Sequence, residues 1–191
     1  MRFQSGNLPE KQATKLIADG WQQAPALTAK QIQNYGLFIA CAGMLLIAVL
    51  LRGAFRPSSV WSALLIMVLA VPLHELIHAL STPSLGLSDR TVIGFQSGKG
   101  LFMPYMYYDG TQPLWHMLLT GLTPVLFLTV LPILLAVFAP LNEPLRANLG
   151  FLAFFNIAIS GGDLVNFFWT LTHLPFNATV QLSGWSLLWK V

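Results

Sequence analysis

The sequence predicts an all-α membrane protein, a bundle of about four transmembrane helices with a small β-hairpin between spans two and three. Composition is the first observation behind this prediction: 55% of the 191 residues are hydrophobic and only 9% are charged, whereas soluble chains carry about 25% charged residues. The second observation is a series of four apolar stretches, each close to the ~20 residues that cross about 30 Å of hydrocarbon.

The polar breaks between these stretches place the spans. The first span stops at Arg52, and residues 53–58 form a tight connector to the second. We predict spans at residues 35–51, 59–80, 114–138 and 147–172. They divide the chain into a polar N-terminal segment, 1–34, a transmembrane domain, 35–173, and a C-terminal tail, 174–191.

Two segments outside the spans have patterns of their own. Residues 81–113 are too polar and too rich in glycine and proline to cross a membrane. Within them, the apolar runs 91–95 and 101–105 flank the turn-like residues 97–100, which predicts a β-hairpin. In the N-terminal segment, residues 11–21 have a short amphipathic pattern, which predicts an interfacial helix on the membrane surface.

The distribution of charge predicts the orientation and excludes one class of partner. The net charge is +3, but the ten Lys and Arg residues are scattered, so no nucleic-acid partner is expected. With four spans, the side that holds both termini and the hairpin loop carries seven of these residues, and the other side carries three. Because cytoplasmic loops carry the excess of Lys and Arg, we expect a multi-pass protein of the plasma (inner) membrane with both termini cytoplasmic.

The second span carries three ionisable side chains in a pattern typical of zinc hydrolases. It contains HELIH from His74 to His78. Ionisable groups at membrane depth cost about 2.5–3.5 kcal/mol each on insertion scales, so they persist mainly where they have a function. Residues four apart share one helix face, so His74 and His78 can bind one metal ion, and Glu75, about 100° round the helix, can hold a water molecule. The alternative is a packing role, with the histidines hydrogen-bonded to neighbouring helices.

A catalytic zinc site usually has three protein ligands, so a third residue is needed. The candidates are Asp163, His116, His173, Asp89 and Asp109. If spans two and four enter from the same side, His74 and His78 lie about 15 and 19 residues into one and Asp163 about 16 into the other, which gives matching depths. His116 and His173 lie at span ends. We therefore predict Asp163 as the third ligand; an N-cap or a partner for a neighbouring helix is the alternative.

Two glycines and two asparagines lie near Asp163 in the sequence. Gly161 and Gly162 allow a close backbone approach, or local unwinding, where Asp163 turns toward the metal. Asn156, seven residues earlier, could donate a hydrogen bond to a developing oxyanion, and Asn166 could do so from the next turn. For either asparagine the alternative is an inter-helix hydrogen bond.

Together these residues resemble two related families. The HELIH motif in one span and Asn156 with Ser-Gly-Gly-Asp163 in a later one are similar to intramembrane zinc proteases of the site-two protease type. They are more similar still to a family of small putative zincin peptidases, a domain of unknown function with about four spans, over most of the chain from the first span into the tail. Site-two proteases have glycine after the aspartate and proline shortly after the asparagine, whereas Leu164 follows Asp163 and no such proline follows Asn156.

The resemblance implies an ATP-independent zinc (Zn2+) peptidase that cuts a membrane-associated peptide or protein within or beside the bilayer. It implies His74, His78 and Asp163 as metal ligands and Glu75 as the general base. Two other functions stay open. A metal-ion transporter also places His and Glu in its spans but usually needs more ligands and more helices. A non-catalytic membrane adaptor could retain a metal site.

Overall fold

In the computed structural model the described residues are 1–6, 13–52, 55–98, 101–184 and 186–191. Parts of four predicted features lie outside them: residues 7–12 of the N-terminal segment, which include the start of the interfacial helix (11–12), the connector after the first span (53–54), the tip of the hairpin (99–100) and residue 185 of the tail.

Among the residues that the structure describes, three helices are long and apolar enough to cross a membrane, or up to four if a bent pair is one span. The three are α2 (Ala29–Leu50), α3 (Val60–Leu80) and a helix over Leu114–Phe138. This last helix consists of α4 (Leu114–Val125), a π-helical turn (Leu126–Val130) and α5 (Leu131–Phe138). The bent pair is α6 (Glu143–Ile159) and α7 (Gly161–His173).

The predicted fourth span, 147–172, is interrupted, because α6 and α7 meet at a bend of 57°. Ser160 lies at the break with φ −79° and ψ 0°, which is not helical geometry. Its hydroxyl donates to the carbonyl of Asn156 at 2.8 Å, and a serine bonded to the carbonyl four residues earlier often bends a helix. Asp163 therefore lies in the first turn of α7 and not in the middle of a straight span.

The contacts within the fold divide the chain into two units. The helical unit comprises Ala29–His74 and Leu122–Asn166. Its apolar core is drawn from α2, α5, α6 and α7 and consists of Ile47, Leu51, Ala136, Ala153, Ile157 and Leu164. A Cβ added to Gly43 of α2 would lie 2.7 Å from Ile157 Cγ1, so α2 and α6 pack closely because this position has no side chain.

The sheet unit comprises Met1–Thr28, Glu75–Gly121 and Phe167–Val191. Its elements before α3 are β1 (Arg2–Ser5), α1 (Ala13–Ala18) and β2 (Gln22–Gln23). Those after α3 are a 3₁₀ turn (Pro83–Gly86), β3 (Thr91–Gly98), β4 (Leu101–Tyr108), β5 (Gln112–Pro113), β6 (Thr179–Ser183) and β7 (Ser186–Lys190). The strands form two sheets, ordered β1-β3-β4 and β2-β7-β6-β5. β1 and β3 pair in parallel, and the other pairs within the described part of the chain are antiparallel.

The chain is mostly helical, as predicted, but it contains more β-structure than the single predicted hairpin. That hairpin is present as β3 and β4, and each strand is three residues longer than the run that predicted it. The tail, predicted only as a tail, folds into β6 and β7 and pairs with β2 and β5. β6 and β7 also pair with each other, whereas β2 and β5 have two residues each and partners far along the chain, so no periodicity in the sequence could indicate those two strands.

Candidate metal centre

The two histidines of the HELIH motif lie on one face of α3. His74 is 4% exposed and His78 is 6% exposed, and Glu75 between them is partly buried. Buried imidazoles need hydrogen-bond partners, and each ring has one at its Nδ1 atom. The boundary between the two units falls between His74 and Glu75, but α3 is continuous there, so the helix itself sets the spacing of the two rings.

His74 lies between an amide and a carboxylate in the helical unit. Its Nδ1 lies 3.0 Å from Asn156 Oδ1, and its Nε2 lies 3.0 Å from Asp163 Oδ2. The side chain of Asp163 is 31% exposed while that of His74 is 5% exposed. The pair thus has a buried imidazole and a carboxylate that solvent or a ligand can reach.

His78 is held by backbone in the sheet unit. Its Nδ1 lies 2.8 Å from the carbonyl oxygen of Thr120. Because a carbonyl only accepts, His78 Nδ1 must carry the hydrogen, and in the neutral ring Nε2 is then the nitrogen with the lone pair. The hydroxyl of Thr120 donates in turn to the carbonyl of Ser81, one residue after the end of α3.

The predicted third ligand belongs to the same group of possible metal ligands as the two histidines. One ligand atom from each of His74, His78 and Asp163 falls within a group whose members are all within 4.8 Å of one another. Among the described residues this is the one such group of three or more His, Cys, Asp or Glu.

The donor set fits zinc. Two imidazoles and a carboxylate are ligands of catalytic zinc sites, which keep a fourth position for water or substrate. Ligands of one tetrahedral zinc lie about 3.3–3.5 Å apart, given bond lengths of about 2.0–2.2 Å. The 3.0 Å between His74 Nε2 and Asp163 Oδ2 is within a few tenths of an ångström of that separation. Histidine ligands also typically donate their other ring hydrogen to a carbonyl or carboxylate, as His78 does to Thr120.

A glycine contact places the start of α7, which carries Asp163. A Cβ added to Gly161 would lie 2.5 Å from the carbonyl oxygen of Gly36 on α2, so any side chain there would push the two backbones apart. The predicted close approach is therefore confirmed at Gly161. It is not found at Gly162, where an added Cβ would meet nothing within 4 Å.

Asn156 lies beside the metal group with its amide nitrogen turned away from His74. The side chain is fully buried, and Nδ2 has acceptors at Pro124 O, Thr129 Oγ1 and Ser160 Oγ within 2.9–3.3 Å. An amide that donates within the protein is a poor oxyanion donor, so this geometry favours the alternative, an inter-helix hydrogen bond. Asn166, the other predicted candidate, is exposed.

The remaining candidates for the third ligand are not in the group. His116 is partly buried, His173 is exposed and stacks on Trp169, and Asp89 and Asp109 belong to the loops around the hairpin. The sequence analysis missed four contributors: Gly36, Thr129 and the carbonyls of Thr120 and Pro124. A backbone carbonyl exists at every position, so no residue type could have indicated the last two.

Comparison with known proteins gives one match. A family model described as Putative zincin peptidase matches residues 66–179, more than half of the chain, including the HELIH motif and Asp163. It leaves out the first span and most of the tail, so it is narrower than the resemblance predicted from the sequence. No curated protein and no solved structure matches the chain. With over half of its length matched, this chain belongs to the Putative zincin peptidase family.

Proposed function

We propose that this protein is a membrane-embedded zinc metallopeptidase that hydrolyses a peptide bond of a membrane-associated substrate. The observation that carries the proposal is the three-donor group on α3 and α7, with Glu75 directly after the first of its histidines. Family membership supports peptidase chemistry independently. In this proposal His74, His78 and Asp163 hold the zinc ion. Bound zinc would lower the pKa of water toward ~7 and polarise the scissile carbonyl.

Glu75 is the general base. Glu75 lies about 100° round the helix from His74. Its side chain is therefore beside the face that carries the two histidines and not on that face. It is partly buried and is not in the three-donor group. Its carboxylate takes a proton from the attacking water and passes it to the leaving amine, so one group serves as base and then as acid.

The substrate should be extended, because a helical peptide bond is shielded by its own hydrogen bonds. An extended segment can add to the edge of a sheet. In the sheet ordered β1-β3-β4, β3 already has a partner on each side, and β4 is an edge strand among the described residues. Proline is tolerated in edge strands because they need not donate on both sides, and β4 contains Pro104. The outer edge of β4 is therefore the substrate-binding edge in this proposal.

The membrane topology in this proposal has four spans, with α6 and α7 together as the fourth and both termini cytoplasmic. The excess of Lys and Arg on the terminal side supports it. A reporter fused after Val191, or inserted near Gly98, should be cytoplasmic, and a tag between Arg52 and Pro57 should lie on the opposite face. Opposite sides for Gly98 and Val191 would exclude the four-span arrangement.

One paired assay separates the peptidase from a transporter or an adaptor. Zinc content and cleavage of a transmembrane peptide, with a helix-destabilising Gly or Pro near its end, are measured on the same preparations. Glu75→Gln should keep about one zinc per chain and lose about 10²–10⁴-fold in cleavage, because it removes the base and keeps the ligands. Glu143→Gln, the same change at an exposed glutamate of α6, is the matched control and should cleave as wild type does.

The rival functions predict other results. A transporter would show metal flux that Glu75→Gln alters, with no proteolysis by either form. An adaptor would bind a partner equally well in both forms and cleave nothing. Equal cleavage by Glu75→Gln and wild type would contradict the hydrolytic mechanism, whatever the zinc content.

A further inference from the structure

Asn156 is a buried amide in the last turn of α6, and all its side-chain polar atoms have partners in the helical unit. It is 0% exposed. Its Oδ1 lies 3.0 Å from His74 Nδ1, and its Nδ2 lies 3.1 Å from Pro124 O and 2.9 Å from Thr129 Oγ1. Ser160 Oγ is a third, longer acceptor at 3.3 Å.

These partners determine which way the amide faces. The carbonyl of Pro124 can only accept, so the atom that faces it must be the donor, Nδ2. The flipped amide would place two acceptor oxygens against each other. With Nδ2 so placed, Oδ1 faces His74 and can only accept, so the hydrogen must lie on His74 Nδ1. His74 Nε2, which lies 3.0 Å from Asp163 Oδ2, is then the ring nitrogen left to bind a metal ion.

The π-helical turn explains how Pro124 and Thr129 reach the same amide. Each residue of an α-helix turns the chain by about 100°, so residues five apart differ by about 140° in direction and face different sides. In a π-helical turn the hydrogen bond joins residues i and i+5, which brings the carbonyl of residue i beside residue i+5. The turn Leu126–Val130 interrupts the helix between α4 and α5. Thr129 lies within this turn and Pro124 lies two residues before it, and both accept from the amide of Asn156.

We propose that Asn156 is a positioning residue for the metal centre: anchored by the carbonyl of Pro124, near the end of α4, and by the hydroxyl of Thr129, in the π-helical turn, it keeps His74 protonated on Nδ1 so that Nε2 binds the metal. This inference rests on the proposed zinc site and adds to it the group that orients one ligand. Groups that orient a metal-bound histidine typically change metal affinity by about 10- to 100-fold. The π-helical turn thus holds Asn156, and Asn156 orients His74. This role replaces the predicted one, in which Asn156 donates to an oxyanion.

The wild-type protein tests the tautomer directly. Full-length protein is labelled with ¹⁵N-histidine, loaded with zinc in detergent, and its side-chain NMR signals report which ring nitrogen carries the hydrogen. The chain has four histidines, and single His→Gln variants assign the signals. We expect the hydrogen of His74 on Nδ1 and the metal on Nε2. A metal on Nδ1, with the hydrogen on Nε2, would overturn the positioning role alone. A protein that takes up no zinc would overturn the zinc site and this inference with it.

Variants then test the strength of the effect. Zinc affinity is measured by competition with a fluorescent chelator, and folding by thermal unfolding in detergent. Asn156→Leu, which keeps the volume but removes the acceptor, should bind zinc about 10- to 100-fold more weakly and give a mixture of His74 tautomers. Asn166→Leu, the same change at an exposed residue of α7, is the matched control and should stay within about twofold. A folded Asn156→Leu protein with wild-type zinc affinity and the wild-type His74 tautomer would refute the proposal. If this variant does not fold, the NMR experiment on the wild-type protein decides whether Asn156 sets the tautomer.

Discussion

The helical unit and the sheet unit hold the two histidines of the HELIH motif in different ways. In the helical unit His74 depends on another side chain, Asn156, which itself depends on the hydroxyl of Thr129 and the carbonyl of Pro124. In the sheet unit His78 binds the carbonyl of Thr120, and the hydroxyl of Tyr107, in β4, donates to the carbonyl of Leu182 at 2.8 Å.

This difference determines how mutation acts on each histidine. A backbone carbonyl remains whatever residue stands at its position, so substitutions around His78 should leave its hydrogen bond intact. The support of His74 can be removed by a single substitution at position 156 and weakened by one at position 129. Side-chain networks give a more exact ring orientation, but only if every member is satisfied.

The largest expected effect follows from removal of a ligand. His74→Ala, His78→Ala and Asp163→Ala should each lower zinc affinity by about 100-fold or more, since the 10–16 kcal/mol of a structural zinc site is shared among about four ligands. Zinc content by elemental analysis is the measurement, with His116→Ala as the control outside the group. Full zinc retention in Asp163→Ala would show that Asp163 is not the third ligand, and His116 would then be the next candidate.

The free energy of unfolding should depend on pH through Tyr107, which lies in the sheet unit. Burial raises the pKa of Tyr107 to about 12 from 10.0, and the charge of Asp109 adds to the shift. The stabilisation is complete below pH 10 and is lost as the pH rises through about 12, because the fold favours the neutral phenol. At 1.36 kcal/mol per pKa unit, this is about 2–3 kcal/mol.

Denaturant unfolding between pH 9 and 12 measures that loss. Tyr107→Phe should remove most of the pH dependence and leave only what Tyr105 contributes, since burial raises the pKa of that residue too. Tyr35→Phe, at an exposed tyrosine of α2, is the control. Equal pH slopes for Tyr107→Phe and wild type would contradict the prediction.

Two neighbouring glycines should respond with opposite signs. Gly161→Ala places a Cβ 2.5 Å from Gly36 O, and such overpacking typically costs about 1–3 kcal/mol. Because Asp163 lies two residues later, zinc affinity should fall as well. Gly162→Ala meets nothing within 4 Å and should be neutral or stabilising by up to about 1 kcal/mol, since alanine favours the helix. Unfolding free energy and zinc affinity test the pair, and an equal response of both variants would show that the contact between α2 and α7 does not position Asp163.

The smallest effect compares two equally buried threonines. Thr129 and Thr120 are both 4% exposed. Thr129→Val removes an acceptor of the Asn156 amide, and the loss of one net hydrogen bond, about 0.5–1.5 kcal/mol, should weaken zinc binding by about 2- to 10-fold. Thr120→Val keeps the carbonyl that holds His78 and should leave affinity within about twofold. Chelator competition measures both, and a larger effect at Thr120 would reverse the comparison between the two units.

The sequence by itself determined the local parts of this protein. His74, Glu75 and His78 lie on one helix, so the helical period alone was enough to predict that the two imidazoles share a face. The apolar spans followed from composition, and the hairpin of β3 and β4 from two apolar runs around a turn-like segment. Asp163 was predicted as a ligand from its depth within the predicted fourth span. In the structure it belongs to one group of possible metal ligands with the two histidines.

Only the tertiary structure decided the rest, because it depends on partners far apart in the sequence. The break at Ser160 is stabilised by the contact of Gly161 with Gly36, 125 residues earlier in a different helix. The strands of the tail pair with each other, but the pairing of β2 and β5 with their outer edges depends on the fold. The direction of the Asn156 amide was set by the carbonyl of Pro124 and by a π-helical turn, neither of which has a residue signature. Local periodicity predicts which side chains share a helix face. The hydrogen-bond partners of those side chains are set by the tertiary structure, because backbone carbonyls such as those of Thr120 and Pro124 exist at every position.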